Sequence, residues 1–244
     1  MNRFAILEND LEFSRNLLND IMSNNNKVRL VRLAVKTEEL EDKLEKLEKG
    51  DILIFNLDIP DENRLELLDK LKQTQRPLPY IIAYSKEIQH YQAMSQYKDY
   101  FYKGIQKPFD KKRIVEMVNQ ITYETSIHYY EKQVKQELHK FEMNIITKGY
   151  AYIVEAITFS LENENLLTDM THGLYKMIAA RHGVTVDNVK WSIEKAMKSV
   201  IRYTNSKIMN SYFYVVSGEK ITPKMFISTI VENLKEKIEE EQYA

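Results

Sequence analysis

The 244-residue chain contains no cysteine, only six glycines and five prolines, and a single tryptophan. Without cysteine there can be no disulfide and no thiolate-bound zinc, and the composition suits a reducing compartment. Scarce Gly and Pro beside abundant Lys, Glu and Leu exclude collagen-like and low-complexity architectures and favour a helix-rich chain. Excess charge of one sign is also missing. Lys and Arg number 35 against 36 Asp and Glu, a net charge of -1, so any surface for a polyanion has to be local. No apolar run approaches the ~20 residues that span a bilayer. Met1-Asn2-Arg3 leads straight into a strand-like run with no signal-peptide core. These absences predict a cytoplasmic protein with no membrane partner. Enzymatic activity is not expected either: the five histidines (His90, His128, His139, His172, His182) show no metal-ligand spacing, and Gly-rich phosphate loops are absent.

The first 120 residues alternate short apolar runs with amphipathic segments. Strands are predicted at Phe4–Leu7, Val28–Ala34, Asp51–Leu57, Tyr80–Tyr84 and Tyr102–Ile105, and helices at Leu11–Ser23, Thr37–Lys49, Asn63–Gln73, Glu87–Tyr97 and Asp110–Tyr123. Such β-then-α units imply a doubly wound, five-stranded parallel sheet of the flavodoxin-like kind. From about residue 139 the pattern is helical almost throughout. The expected organisation is an α/β domain over 1–122, a helical linker over 123–138 and an all-α helix-turn-helix domain over 139–244. Between Phe109 and Lys148 there is neither Gly nor Pro. Apolar residues at Ile114, Met117, Val118, Ile121, Ile127, Tyr130, Val134, Leu138 and Phe141 predict one long helix from about 110 to 142. Its stripe beyond 127 has two readings, packing on its own C-terminal domain or pairing with a second chain as a short coiled coil.

Residues 51–60, Asp-Ile-Leu-Ile-Phe-Asn-Leu-Asp-Ile-Pro, form an unbroken apolar run that ends at Asn56. In an α/β sheet, chemistry gathers where such a strand ends. Three fragments fall at strand ends in fixed order: Ile6-Leu7-Glu8-Asn9-Asp10, Phe55-Asn56-Leu57-Asp58-Ile59-Pro60, and Gln106-Lys107-Pro108-Phe109-Asp110. Residues 1–122 thereby resemble the receiver domain of bacterial response regulators. The resemblance implies an aspartate that accepts a phosphoryl group from a histidine kinase, assisted by Mg²⁺ on an acidic pair, a Thr or Ser, and a Lys. Here Asn56 occupies the phosphoacceptor position, and an uncharged amide cannot form an acyl phosphate. The acidic pair reads Glu8-Asn9. One of three pocket carboxylates remains unless Asp10 turns inward, so binding of Mg²⁺ or Ca²⁺ is expected to be weak or absent and no cofactor is assigned. Ser85 matches the phosphoryl-contacting residue, Lys86 and Gly104 depart from the pattern, and Lys107 survives, predicted to pair with Glu8 or Asp10. Two alternatives stand beside this reading: a shifted register that brings Asp58 to the pocket, and a purely structural ion pair for Lys107. The expectation is a pseudo-receiver.

In the second half, a helix, the turn His182-Gly183-Val184-Thr185-Val186 and a further helix from Asp187, its suggested N-cap, predict a helix-turn-helix. Val189, Ile193, Ala196, Met197 and Val200 form the inward stripe; Lys190, Trp191, Glu194, Lys195, Lys198 and Arg202 lie opposite and are the candidate DNA-binding residues. Between 170 and 210 seven Lys/Arg face two acids, a local phosphate-facing patch in a neutral chain. Lys148-Gly149-Tyr150-Ala151-Tyr152, Glu155-Ala156-Ile157-Thr158, Leu166-Leu167, Thr171, Leu174-Tyr175, Ile178-Ala179 and Lys224-Met225-Phe226-Ile227 resemble the effector domain of the stage-zero sporulation protein A family. That resemblance implies a six-helix effector that binds short DNA boxes as a dimer and contacts RNA polymerase. Trp191 and Glu194 stand where the family's recognition helix carries base-reading arginines, each such contact worth ~1–3 kcal/mol of discrimination. Trp191 has three readings: stacking, touching a thymine methyl, or core. The combined expectation is a phosphorylation-independent, dimeric DNA-binding transcriptional regulator of a sporulation or related programme. A protein of another class is the alternative, one that dimerises with or titrates phosphorelay components without using DNA.

Overall fold

In a computed structural model of the chain, the described residues are 2–40, 47–60, 64–73, 77–87, 101–213 and 220–243. They fall into two compact units, 1–125 and 126–244. The first unit holds strands β1 (Asn2–Leu7), β2 (Val28–Ala34), β3 (Ile52–Asn56), β4 (Tyr80–Ser85) and β5 (Phe101–Gln106), with helices α1 (Leu11–Asn24) and α2 (Arg64–Gln73) and the start of α3 (Lys112–His139). The strands form one parallel sheet in the order β2-β1-β3-β4-β5. Each lies within one or two residues of its predicted range. The segment expected as helix at Thr37–Lys49 falls partly, and that at Glu87–Tyr97 almost wholly, outside the described residues.

β3 explains why the sheet is covered on both faces. All five of its residues are buried, and successive side chains point to opposite sides. Leu53 and Phe55 join Ala5, Leu7, Ile81 and Ala83 beneath α2, which contributes Leu67, Leu68 and Leu71. Ile52 and Ile54 join Phe4, Ile6 and Ile82 on the other face, under Leu17 and Ile21 of α1 and Ile114, Val118 and Ile121 of α3. An alternating pattern would have left one face wet; the unbroken one fills two cores. β3 pairs with β4 so that Asn56 lies opposite Tyr84, which fixes Asn56 at the strand's carboxyl end.

The second unit is helical: the rest of α3, then α4 (Lys148–Glu162), α5 (Tyr175–His182), α6 (Val186–Tyr203), α7 (Ser206–Tyr212) and α8 (Pro223–Tyr243), with a short 3₁₀ turn and a π turn between α4 and α5. Val134, Leu138 and Phe141 belong to its core, and Ile127 and Tyr130 pack against it, so the stripe of α3 is used within its own unit. Glu137 fastens the same stretch. It is buried, accepts from Lys140 Nζ at 3.0 Å and Lys237 Nζ at 2.8 Å, and also from the Tyr212 hydroxyl. Burial opposes its charge, yet the hydrogen bonds from Lys237, Tyr212 and Lys140 outweigh it and hold the carboxyl below the ordinary glutamate range.

Two glycines set the geometry of this unit. Gly183 ends α5 in the left-handed region (φ 62°), and the following Val184 N–H reaches back to Ala179 O at 3.0 Å, closing the turn into α6. At Gly149 the constraint is space: a Cβ would lie 2.2 Å from Ser192 O and 2.8 Å from Ala196 Cβ, so α4 touches α6 backbone to backbone. α6 starts one residue earlier than expected and is capped by Thr185, whose side chain accepts from Asn188 N–H; Asp187 lies in the first turn instead.

Gly149→Ala is expected to destabilise the second unit by ~1–3 kcal/mol through overpacking. Urea unfolding followed by the fluorescence of Trp191, the sole tryptophan, would show a lower midpoint. Glu137→Gln should cost ~1.5–3 kcal/mol at neutral pH by weakening charge-assisted hydrogen bonds. Because the folded-state pKa of Glu137 is depressed, its contribution is full above the ordinary glutamate pKa and disappears as pH falls through the folded value. The gap between wild type and variant should therefore close on acidification.

Candidate functional site

The first candidate site lies where β1, β3, β4 and β5 end. Glu8, just past β1, is only 1% exposed, so its carboxylate needs donors. It has three. Oε1 accepts from Asn56 Nδ2 at 2.8 Å and from the Asp10 N–H at 2.9 Å, and Oε2 accepts from the Tyr84 hydroxyl at 2.6 Å. Burial, and then the charge of Glu8, push the Tyr84 hydroxyl well above its ordinary pKa, which keeps its proton in place. Asn56 also points Nδ2 toward Asn9 Oδ1, at 3.3 Å, while its own Oδ1 accepts from the Asp58 N–H at 3.0 Å. The amide thus spends both ends holding neighbours.

Lys107 follows β5 and reaches Glu8 Oε2 at 3.9 Å and Asp58 Oδ2 at 3.7 Å. Its Nζ also sits 4.8 Å above the Tyr84 ring, within an aromatic wall of Phe13, Tyr84 and Phe109. Of the two expected partners, Glu8 is used and Asp10 is not. Its carboxylate is turned away to cap α1, accepting from the Phe13 N–H at 2.9 Å, because four free N–H groups at a helix start compete for that side chain. Asp58 takes its place: it accepts from Ser85 Oγ and from the Lys86 N–H at 2.9 Å, although the strand register is the unshifted one with Asn56 at the strand end. Pairing and proximity are therefore separate matters, and Asp58 enters the pocket without displacing Asn56. Gly104, opposite Ala83 in β5, presents no side chain to this end of the sheet.

These residues do not fit a divalent cation. Amide and backbone N–H groups, not lone pairs, face the Glu8 carboxylate, and the second acidic position is Asn9, whose oxygen faces the same amide. Nor is there a nucleophile at position 56. What the pocket can do is hold two carboxylates and one ammonium in a fixed hydrogen-bonded arrangement.

The second candidate site is the outer face of α6. Val189, Ile193, Met197 and Val200 are buried and Ala196 partly so, as the stripe predicted. Lys190, Trp191, Lys195, Lys198 and Arg202 are exposed. Trp191 is 62% exposed, which removes the core reading, and Lys195 Nζ lies 5.0 Å from its ring. A groove of about 390 Å³ beside them is lined by Thr147, Lys148, Gly149, Trp191, Ser192 and Lys195. Glu194 is half-buried and sits toward α5, where burial and then its charge push the Tyr175 hydroxyl up to about 12. Sequence reasoning missed the roles of Tyr84 and the Lys86 N–H; Tyr84 looked like one more apolar strand residue, and a backbone donor leaves no signature.

Residues 6–119 match the family described as response regulator receiver domain, and residues 134–234 match the family described as sporulation initiation factor Spo0A C terminal. Among solved structures, full-length FixJ from B. japonicum is 15% identical, with a TM-score of 0.44 over 85% of this chain and 92% of that one. The response regulatory domain of protein mrkE from Klebsiella pneumoniae is 18% identical, with a TM-score of 0.42 over 49% of this chain and 94% of that one. A LuxR-family DNA-binding response regulator from Staphylococcus aureus is 11% identical, with a TM-score of 0.43 over 50% of this chain and 99% of that one. Among the described residues, no helix is long and apolar enough to cross a membrane.

Replacing Asn56 by Asp would set a carboxylate at hydrogen-bond distance from buried Glu8 and remove a donor to it. Asn56→Asp is expected to lower stability by ~1.5–3 kcal/mol at pH 8, measured by urea unfolding. The loss should shrink as pH falls, since protonating one of the pair ends the repulsion. Intact-mass measurement after incubation with acetyl phosphate and Mg²⁺ should show no phosphoryl adduct.

Proposed function

We propose that this chain, which belongs to the Spo0A-like response regulators by its receiver domain and its Spo0A C-terminal domain, is a transcriptional regulator whose DNA binding needs no phosphoryl transfer. The observation that carries the second half of this reading is Asn56: its amide is a hydrogen-bond donor to Glu8, so the strand end holds no nucleophile and one state of the pocket is satisfied without a ligand. On the DNA side, the exposed cations Lys190, Lys195, Lys198 and Arg202 of α6 would face phosphates, and Trp191 would lie at the groove edge, stacking or meeting a thymine methyl. Glu194, drawn toward Tyr175, would weaken this face less than its position in the sequence suggests. The protein would act as a homodimer on DNA, and RNA polymerase is the expected further partner; no enzymatic step is part of the reading.

Trp191 fluorescence and mobility shift, each run over several salt concentrations on duplex DNA, test this. Log affinity should fall linearly with log salt, by about 0.9 per phosphate contacted. Lys195→Glu/Lys198→Glu should abolish binding, and acetyl phosphate should change nothing. No binding at low salt would sink the DNA reading and favour a protein that titrates phosphorelay components. Affinity that rises with acetyl phosphate would sink its phosphorylation-independent half.

A further inference from the structure

Three donors of different kinds converge on the carboxylate of Asp58. Ser85 Oγ donates to Oδ1, the Lys86 N–H lies 3.1 Å from Oδ1 and 2.9 Å from Oδ2, and Lys107 Nζ stands 3.7 Å from Oδ2. A hydroxyl, a backbone N–H and an ammonium aimed at one point are the donor set of a small oxyanion site. The site is built rather than accidental: Ser85 is fully buried, and the Asp58 side chain is 16% exposed. Asn56 positions the occupant, since its Oδ1 takes the Asp58 N–H at 3.0 Å and turns the chain back over the strand end.

Charge explains why an aspartate can sit there. Glu8 and Asp58 share one ammonium, that of Lys107. A third carboxylate at position 56 would add a negative charge within a few ångströms of both, in a setting where like charges suppress each other's ionisation. The neutral amide at 56 and the carboxylate at 58 are therefore two halves of one arrangement. A free anion would also have to compete with an intramolecular one whose effective concentration is millimolar or higher.

We propose that Asp58 is the resident ligand of an oxyanion site made by Ser85 Oγ, the Lys86 N–H and Lys107, and that it excludes free phosphate and holds the chain after β4 in one position. This deepens, and rests on, the phosphorylation-independent reading of the same pocket. With the carboxylate removed, the site should take a small tetrahedral oxyanion such as phosphate.

The test uses ¹⁵N-labelled full-length protein titrated with inorganic phosphate, followed at the Lys86 amide. Wild type should show no saturable shift. Asp58→Ala should show one, with apparent affinity about tenfold or more above wild type, a difference of about 1.4 kcal/mol. Adding Lys107→Ala to that variant should remove it. A folded Asp58→Ala protein whose Lys86 amide ignores phosphate, or a response that survives loss of Lys107, would overturn the proposal. Should Asp58→Ala fail to fold, Asp58→Asn decides: Lys86 amide exchange faster than wild type by about tenfold supports the assignment, and unchanged exchange refutes it. Intact mass of the wild type after acetyl phosphate is read separately. A covalent adduct there defeats the phosphorylation-independent reading itself, whereas a silent Lys86 amide defeats only the role of Asp58.

Discussion

A carboxylate removed from water must be surrounded by donors, and Glu8 is the carboxylate on which the end of the sheet depends. At 1% exposure it cannot rely on solvent. The Asn56 amide, the Asp10 backbone and the Tyr84 hydroxyl all point hydrogens at it. Three strand ends are tied to one another through that single group. Position 56 is then constrained from two directions. It must donate to Glu8 and accept from the Asp58 N–H, and a carboxamide does both, from separate atoms and without adding charge. Asn56 is better understood as a fitted part than as a damaged aspartate.

Much of this was legible in the sequence. β3 announced itself because a strand buried on both faces has no polar alternation to blur it, and the long gap without Gly or Pro marked α3 for the same kind of reason. The exposure of Trp191 was also there to be read: it lies two residues after Val189 and two before Ile193, so helical spacing turns it away from the buried stripe. Other parts had no one-dimensional signal. Asp10 and Asp58 are both short acids just past strand ends, yet one caps α1 and the other enters the pocket; backbone direction decides, and sequence does not encode it locally. The cap of α6 fell to Thr185 rather than Asp187 because extended φ/ψ at 185 sets its side chain over the first turn. Tyr84 was hidden by being apolar enough to pass as core.

The two units divide the physics between them. In the first, the pocket carboxylates Glu8 and Asp58 face the Lys107 ammonium and hydrogen-bond donors of the chain itself, so the pocket has little to gain from an added ion. In the second, the internal charge is the Glu137 cluster, and the cations of α6 are left on the surface. Gly149 lets α4 press against the middle of α6, so the buried side of that helix is held by backbone contact and its outer side is free to vary. Change at exposed Trp191 therefore leaves the packing of the unit untouched, whereas Glu194, half-buried toward Tyr175, is tied to α5.

That freedom bears on what the outer face of α6 can recognise. Phosphate contacts need only positive charge at roughly the right height, and Lys190, Lys195, Lys198 and Arg202 supply it whatever stands between them. Base reading needs particular donors at particular positions, and Trp191 has one indole N–H where a bidentate guanidinium would make two bonds. The ring does something else: Lys195 lies against it, which steadies a side chain that would otherwise lose entropy on meeting a phosphate. On the proposed function, affinity and specificity therefore come apart. The cations set a salt-dependent affinity that no pocket chemistry switches, and whatever sequence preference remains has to come from Trp191 and from the shape of the DNA.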